Sequence, residues 1–256
     1  MKLKNTLIMA ATAILIASTS ACKKGSEPPS TSPTIGNGHL RVSFTLMNGT
    51  DTFHLGDLLH DGAGRMIRFD TVRFFISGIH LHDDAAVVIA HYPTLYELFD
   101  AAEPNAQFDL GDLQAQHVHA FAFDVGVDSV ANHADPTTAA PPLNDLAMHV
   151  DQSTGYRFIV LAGHVDSNDN GVIDSADATF HYVIDTDALL DEDEVHVHHD
   201  LAEGEQFVIQ AWADMSVVLS GVDVMNTPTT MTVDNLPLAI QIRDSLVSSL
   251  GPDPDE

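Results

Sequence analysis

The sequence is poor in cysteine and in positive charge, and each shortage excludes a class of protein. Cys22 is the only cysteine, so no disulfide can form within the chain. Lysine and arginine number 10 against 37 acidic residues, which gives a net charge of −27 and disfavours binding to nucleic acid or to an anionic membrane surface. No H-E-x-x-H, G-x-S-x-G or glycine-rich phosphate loop is found in the sequence. We therefore expect a binding protein rather than an enzyme.

Long apolar runs are also scarce, and the longest one lies at the start of the chain. Residues 1–21 combine Lys2 and Lys4 with the run LIMAATAILIA, which is too short to span a bilayer and is typical of a signal peptide. TSAC follows and resembles a bacterial lipobox, which predicts that Cys22 is lipidated and anchors the protein to a membrane of the cell envelope. Residues 22–38 are polar and rich in proline and serine, so we expect a flexible tether.

The remaining sequence predicts an all-β domain over residues 39–250, followed by an acidic tail at 251–256. Short segments rich in β-branched and aromatic residues alternate with turn signals, which indicates an antiparallel β-sandwich. One short helix is predicted near the C-terminus. Asn235 is placed to cap it, and apolar residues recur every four positions from Leu238 to Leu250.

A calcium loop is predicted between two of these strands, in the stretch DSNDNGVIDSAD. Its acidic and amide side chains match the ligand positions of a twelve-residue calcium loop, and Gly171 permits the sharp turn. One further ligand is the backbone carbonyl of Val172. The predicted ligands are Asp166, Asn168, Asn170, Val172, Asp174 and Asp177. The alternative is a solvated turn without an ion.

Fifteen histidines exceed the ten lysines and arginines, and several of them form pairs. Histidines at i and i+2 on a strand point to the same face, so each pair can share a metal ion, although single histidines on a strand are often only solvated. The pairs are His80/His82, His117/His119 and His196/His198. The densest stretch, EDEVHVHHD, makes His196, His198 and His199 candidate ligands for Zn(II) or Cu(II).

Residues 123–158 resemble the MbnP-like family of bacterial copper-binding proteins. The similar features are a GVD element at 126–128, Asn132, Pro141-Pro142, Met148 and a Gly155-Tyr156 strand start. The resemblance implies a periplasmic or surface-attached β-sandwich associated with copper. It also implies His149 and His181 as copper ligands, and Met148 offers a soft third ligand for Cu(I). The tryptophan-rich segment and the four cysteines found in some relatives are absent.

Two functions are consistent with these features. The first is an exported, lipid-anchored protein that sequesters copper or hands it to a protein partner and carries a structural calcium ion. We also expect calcium to fix the hairpin that brings His181 to His149. The second is a calcium-stabilised surface module that binds a protein or glycan and has no transition-metal role.

Overall fold

The computed structural model describes residues 36–104 and 106–252. The predicted signal peptide, Cys22, most of the tether and the last four residues of the predicted tail lie outside this part. The described part forms fifteen strands: β1 (Asn37–Asn48), β2 (Asp51–Thr52), β3 (Leu58–His60), β4 (Met66–His82), β5 (Val88–His91), β6 (Glu97–Asp100), β7 (Gln107–Gln114), β8 (His117–Val125), β9 (His149–Asp151), β10 (Gly155–Val165), β11 (Ala178–Asp185), β12 (Asp191–Asp200), β13 (Gln206–Asp214), β14 (Thr229–Met231) and β15 (Leu250–Pro252). It also forms three α-helices, α1 (Ser129–Asn132), α2 (Met215–Val218) and α3 (Leu236–Val247), and two short 3-10 helices, Leu146–Met148 and Asp187–Leu189.

The strands form two sheets, as expected for a sandwich. The five-stranded sheet has the order β15-β13-β1-β2, with β7 also pairing with β1. The ten-stranded sheet has the order β12-β8-β4-β10-β11-β14, with β3, β5 and β6 along β4 and β9 along β10. Most pairs are antiparallel, but β1–β13 and β11–β14 are parallel. The all-β sandwich is confirmed, with mixed sheets.

Aromatic and aliphatic side chains fill the space between the sheets. Alternate residues of β1 face inward, and Phe44 lies at the centre of this set. Its ring contacts Phe74 and Phe123 of the large sheet, with centroid distances of 6.1 and 5.6 Å. Successive side chains of a strand point to opposite faces, so every second one lies in the core. The alternation of apolar and polar residues along β1 therefore predicts this strand from the sequence.

The predicted C-terminal helix is present as α3. The Asn235 side chain accepts a hydrogen bond from the Leu238 amide at 3.3 Å, and Leu238, Ile242 and Leu246 are buried. The helix ends earlier than the four-residue repeat suggested, because Leu250 belongs to β15, which pairs with β13. No helix in the described ranges is long and apolar enough to cross a membrane.

Two irregularities shape the edge of the large sheet that contains β12, β8 and β4. The register of β4 against β8 shifts between Ser77 and His80, where Gly78 has a φ of +60°. This positive φ favours glycine, and a Cβ atom at the position would also displace the Asp124 carboxylate, whose Oδ2 would lie 2.1 Å away. The register of β12 against β8 shifts between His196 and His199, around a φ of +45° at His198. Such bulges re-aim side chains at the sheet surface.

Candidate metal centre

One group of acidic and histidine side chains in the described ranges has converging ligand atoms. It consists of Asp84, His117, His119 and His198. Each contributes one nitrogen or oxygen atom, and these four atoms all lie within 4.8 Å of one another. The group combines residues that are far apart in the sequence, so no local motif describes it.

Each member is positioned by a different feature of the fold. His117 and His119 lie at the start of β8, at i and i+2. His198 lies in the β12 bulge, and its ring centroid is 4.3 Å from that of His119. Asp84 follows β4 in a turn whose Asp83 side chain accepts hydrogen bonds from two backbone amides further along the turn, both at 2.9 Å.

The ring nitrogens of His117 are arranged as in many metal-binding histidines. Nδ1 donates a hydrogen bond to Asp200 Oδ1 at 2.7 Å, so Nε2 holds the lone pair of the neutral ring. Nε2 is buried and lies 3.3 Å from Asp84 Oδ1 without the alignment of a hydrogen bond. The hydrogen bond to Asp200 raises the pKa of His117, against the opposing effect of burial, and the charge of Asp84 adds to the rise. His119 Nδ1 donates to the same Asp84 oxygen at 3.0 Å.

The donor set suits a divalent transition metal. Ligand atoms around a tetrahedral zinc ion lie roughly 3.4 Å apart, given metal–ligand distances of about 2.0 to 2.1 Å. The observed spacing within 4.8 Å therefore needs only small side-chain movements to surround an ion. Three imidazoles and one carboxylate favour Zn(II) or Cu(II), whereas Cu(I) prefers softer or fewer ligands.

The structure divides the three candidate histidines of β12. His198 belongs to the converging group, and His196 lies beside it, with its ring 5.1 Å from the His119 ring. His199 is directed elsewhere: its ring stacks on Phe207 at 3.6 Å, and its Nε2 bonds to Glu205 at 2.9 Å. The bulge separates His199 from the other two, so these three histidines do not form one site.

The structure does not bring His149 and His181 together. His149 is opposite Tyr156 of β10, and His181 is opposite Ala162 of the same strand. Six residues of a strand span roughly 20 Å. Both histidines do lie on strands adjacent to β10, but adjacency between strands does not fix position along them, so the expectation of a shared site is wrong. His181 is exposed to solvent, and Met148 is a buried core residue.

The predicted calcium loop is closely bonded within itself. Asp166 is buried, and its two oxygens accept hydrogen bonds from the amides of Asn170 at 3.2 Å and Gly171 at 2.8 Å. Asp177 is also buried and accepts from the Ser167 amide at 3.0 Å and the Asp174 amide at 3.0 Å. The other predicted ligands, Asn168, Asn170, Val172 and Asp174, lie on the exposed part of the loop.

The location of this loop removes the role we expected for it. It joins the end of β10 to the start of β11, whereas His149 lies beside the start of β10. The Asp166 amide donates to the carbonyl oxygen of Met66, the first residue of β4, whereas Asp84 lies two residues beyond the last residue of β4. The loop therefore holds neither His149 nor the converging group in place.

The motif residues at 126–156 have a clear structural role. Asn132 is fully buried, and its oxygen accepts a hydrogen bond from the Tyr156 amide at 2.6 Å. Its nitrogen donates to Asp187 at 2.7 Å. A Cβ atom on Gly155, which has a φ of +87°, would lie 2.2 Å from the Asn132 side chain, so glycine is required there. Asp128 caps α1 by accepting from the amides of the second and third helical residues. These residues fasten the loop between β8 and β10 onto the sandwich.

Comparison with known proteins identifies the family. The model of the MbnP family matches residues 37–233, well over half of the chain. The chain belongs to the MbnP family. Among solved structures, MbnP from Methylosinus trichosporium matches with a TM-score of 0.52 and 15% identity, over 75% of this chain and 80% of that one. At this identity the structural match supports the fold alone. The search of curated proteins gives no match.

The sequence alone does not identify Asp84, and it does not distinguish the His117/His119 pair on β8 from the other histidine pairs. The i, i+2 spacing of His117 and His119 was visible, but its importance depends on β12 lying next to β8. The sequence does contain a signal for the site, because two strands carry histidine pairs and one turn is acidic. Only the strand order and the bulge at His198 show which pairs meet.

Proposed function

We propose that this MbnP-family protein binds a divalent transition metal ion through Asp84, His117, His119 and His198. The observation that supports this most directly is the convergence of their ligand atoms. His117 Nε2 and His149 Nε2 are both buried without a hydrogen-bond partner, but of these two only His117 belongs to the converging group. Buried polar atoms usually have a partner, and a metal ion is one that fits a ring nitrogen. Binding without catalysis, for sequestration or hand-over of the ion, is the role we assign.

Copper is the ion we propose, bound as Cu(II). The family resemblance carries the expectation of copper, and the order of divalent metal affinities places Cu(II) above zinc for the same nitrogen and oxygen ligands. The ligands of this group also change the oxidation state that we expect for the copper ion, from Cu(I) to Cu(II). A Cu(I) site of two histidines and a methionine needed His149, His181 and Met148 close together, whereas three histidines and an aspartate favour Cu(II).

A structural calcium ion in residues 166–177 is a second part of the proposal. Asp166 and Asp177 already accept backbone hydrogen bonds at both ends of the loop, so the backbone is folded around these carboxylates. Oxygen ligands on a tightly turned backbone suit calcium. The loop lies at one end of the β10–β11 hairpin, so the calcium ion would stabilise the fold locally.

Export and lipid anchoring through Cys22 complete the proposal and place the protein in the bacterial cell envelope. The basis is the sequence of the first 22 residues, with its basic start, short apolar run and single cysteine. The cells that produce the protein should incorporate a labelled fatty acid into it, and Cys22→Ala should abolish the label. Label that persists in this variant would show that Cys22 is not the anchor.

The deciding experiment for the metal site is a comparison of two double variants of the full chain without a polyhistidine tag. Copper affinity is measured by competition with a chelator of known affinity, after elemental analysis of protein from copper-supplemented cells. His119→Gln with His198→Gln should weaken Cu(II) binding by at least about 100-fold, because two of four ligands are lost. His149→Gln with His181→Gln should stay within about twofold of the parent, since those side chains do not meet.

The opposite pattern would move the site back to His149 and His181. Equal, weak copper binding in the parent and in both variants would remove the copper function. The calcium-stabilised binding module for a protein or glycan would then be the better assignment.

A further inference from the structure

Two alanines of β8 lie under a second group of histidines and acids. Ala120 and Ala122 alternate with Phe121 and Phe123, whose rings contact Phe44 in the core, so the alanine methyl groups point away from the core. On an outer face they should be exposed, yet their exposed fractions are 0% and 1%. Longer side chains from the two neighbouring strands must therefore cover them.

The covering side chains come from β4 and β12. His82 and His196 are both opposite Ala120, one on each side. His80 and Glu194 are likewise both opposite Ala122. Residues directly opposite in antiparallel strands share a face, so these four side chains project together above β8. Because alanine is small, side chains from strands that are not adjacent can meet over it.

The two histidines of β4 have their Nδ1 atoms held by oxygen acceptors. His80 Nδ1 donates to the Gly78 carbonyl oxygen at 2.8 Å, and His82 Nδ1 donates to Glu194 Oε2 at 3.1 Å. In each neutral ring this leaves the lone pair on Nε2. The ring centroids lie 4.6 Å apart, and both side chains are largely buried. Histidines that bind metals are fixed by the same kind of hydrogen bond at the opposite nitrogen.

A carboxylate lies beside one of these two rings. Glu192 Oε1 lies 3.5 Å from His80 Nε2. Its side chain is mostly exposed, so it can rotate toward an ion without breaking core contacts. The carboxylate of Glu194 lies between the two groups, since its other oxygen is 3.5 Å from His196 Nε2, and the His196 ring is 5.1 Å from that of His119.

We propose that His80, His82 and Glu192 form a second site for a divalent transition metal ion, beside the first. Two imidazoles and a carboxylate favour Zn(II) or Cu(II). This site should be the weaker one, because its three ligand atoms do not converge within 4.8 Å as those of the first group do, and the long Glu192 side chain must rotate and be ordered when the ion binds. Its proximity to the first site, with Glu194 and His196 between, gives a route along which an ion can move between binding positions.

Zinc stoichiometry of the full chain tests this inference, with Zn(II) as the probe and calcium at saturation to occupy the 166–177 loop. Equilibrium dialysis should show two zinc ions per parent chain, with affinities at least about tenfold apart. His80→Gln with His82→Gln should retain only the tighter ion. His119→Gln with His198→Gln should retain only the weaker one.

Two further variants keep the result interpretable. Glu192→Gln is isosteric and exposed, so it should fold normally; it should weaken the second ion by at least about fivefold and change the first by less than about twofold. His39→Gln is the matched control. His39 also contacts two carboxylates, Asp112 at 2.8 Å and Asp109 at 3.1 Å, but in the described part of the chain no second histidine is seen beside it. It should leave both ions in place.

The outcomes separate this inference from the proposed function. A parent chain that binds one zinc ion, lost in the His119/His198 variant and kept in the His80/His82 variant, would overturn the second site and leave the first intact. One ion lost only in the His80/His82 variant would support the second site and reject the first. Loss of both ions from a folded His80/His82 variant, as judged by circular dichroism, would overturn the idea of two distinct sites.

Discussion

The loop at residues 166–177 and the group of Asp84, His117, His119 and His198, here called the histidine group, are both rich in metal-ligand residues, but the hydrogen bonds of these residues differ. In the loop, the carboxylates of Asp166 and Asp177 accept hydrogen bonds from the loop's own backbone amides. In the histidine group, hydrogen bonds occupy Nδ1 of His117 and of His119, and the second nitrogen of each ring takes no such bond among the described contacts. The loop is a local structure read from twelve consecutive residues, and the histidine group is assembled from three separate segments.

This difference shows what a sequence motif can and cannot report. A loop motif places its ligands through the backbone between them, so the pattern alone predicts that they lie together. Ligands on different strands are brought together by strand order, register and bulges. The i, i+2 spacing of a histidine pair says that the two share a face but does not say what faces them.

The largest expected effect concerns the loop and comes from Asp166→Ala. The alanine leaves the amides of Asn170 and Gly171 without their acceptor and removes the first calcium ligand. We expect the loss of about 2 kcal/mol in the free energy of unfolding in the presence of chelator, because water replaces only part of these bonds. The rise in melting temperature that calcium gives the parent should disappear. Thermal and urea unfolding with calcium and with chelator measure both effects.

Asp169→Asn is the control for this variant. It removes the same unit of charge from the same loop, but Asp169 is exposed and is not at a ligand position. It should keep the calcium response. Identical melting curves of the parent with calcium and with chelator would argue for a solvated turn. Copper affinity should differ by less than about twofold between Asp166→Ala and the parent, because the two regions lie at opposite ends of β4.

Many strands and the C-terminal helix can be predicted from the sequence, because the patterns that indicate them lie within short stretches of the chain. Leu40, Val42 and Phe44 alternate with polar residues along β1, and each of them is buried. Asn235 marked the start of α3. The parallel pairing of β1 with β13 was not predicted, because these strands are separated by most of the domain and no turn between them fixes their direction.

The candidate site was only partly predictable for a related reason. The ligand-dense strand predicts His198 as a ligand, but it equally predicts the neighbouring His199, whose ring stacks on Phe207 instead. A single extra residue in β12 causes this division, and nothing in EDEVHVHHD marks the position of a bulge. Asp84 lies in an ordinary acidic turn, so only its distance from His119 identifies it.

A smaller effect is expected at the edge of the histidine group, from Asp200→Asn. Asp200 accepts the hydrogen bond from His117 Nδ1 and so keeps the lone pair on Nε2. An amide can still accept this bond, but without the negative charge that makes the imidazole a better ligand. Loss of such a partner often costs about 10- to 100-fold in metal affinity. The Asp200 side chain is 92% exposed, so solvent screens it and we expect a decrease of only about three- to tenfold.

Asp112→Asn supplies the matched control for that last comparison. Asp112 makes the same contact with His39, at 2.8 Å between Oδ1 and Nδ1, and it is also largely exposed. Both substitutions remove one negative charge, so a general effect of charge on copper binding would appear equally in both. Competition with a chelator at two salt concentrations measures the difference. Equal affinities in the two variants would mean that Asp200 does not act through His117, whereas a loss confined to Asp200→Asn would identify His117 as a ligand bound through Nε2.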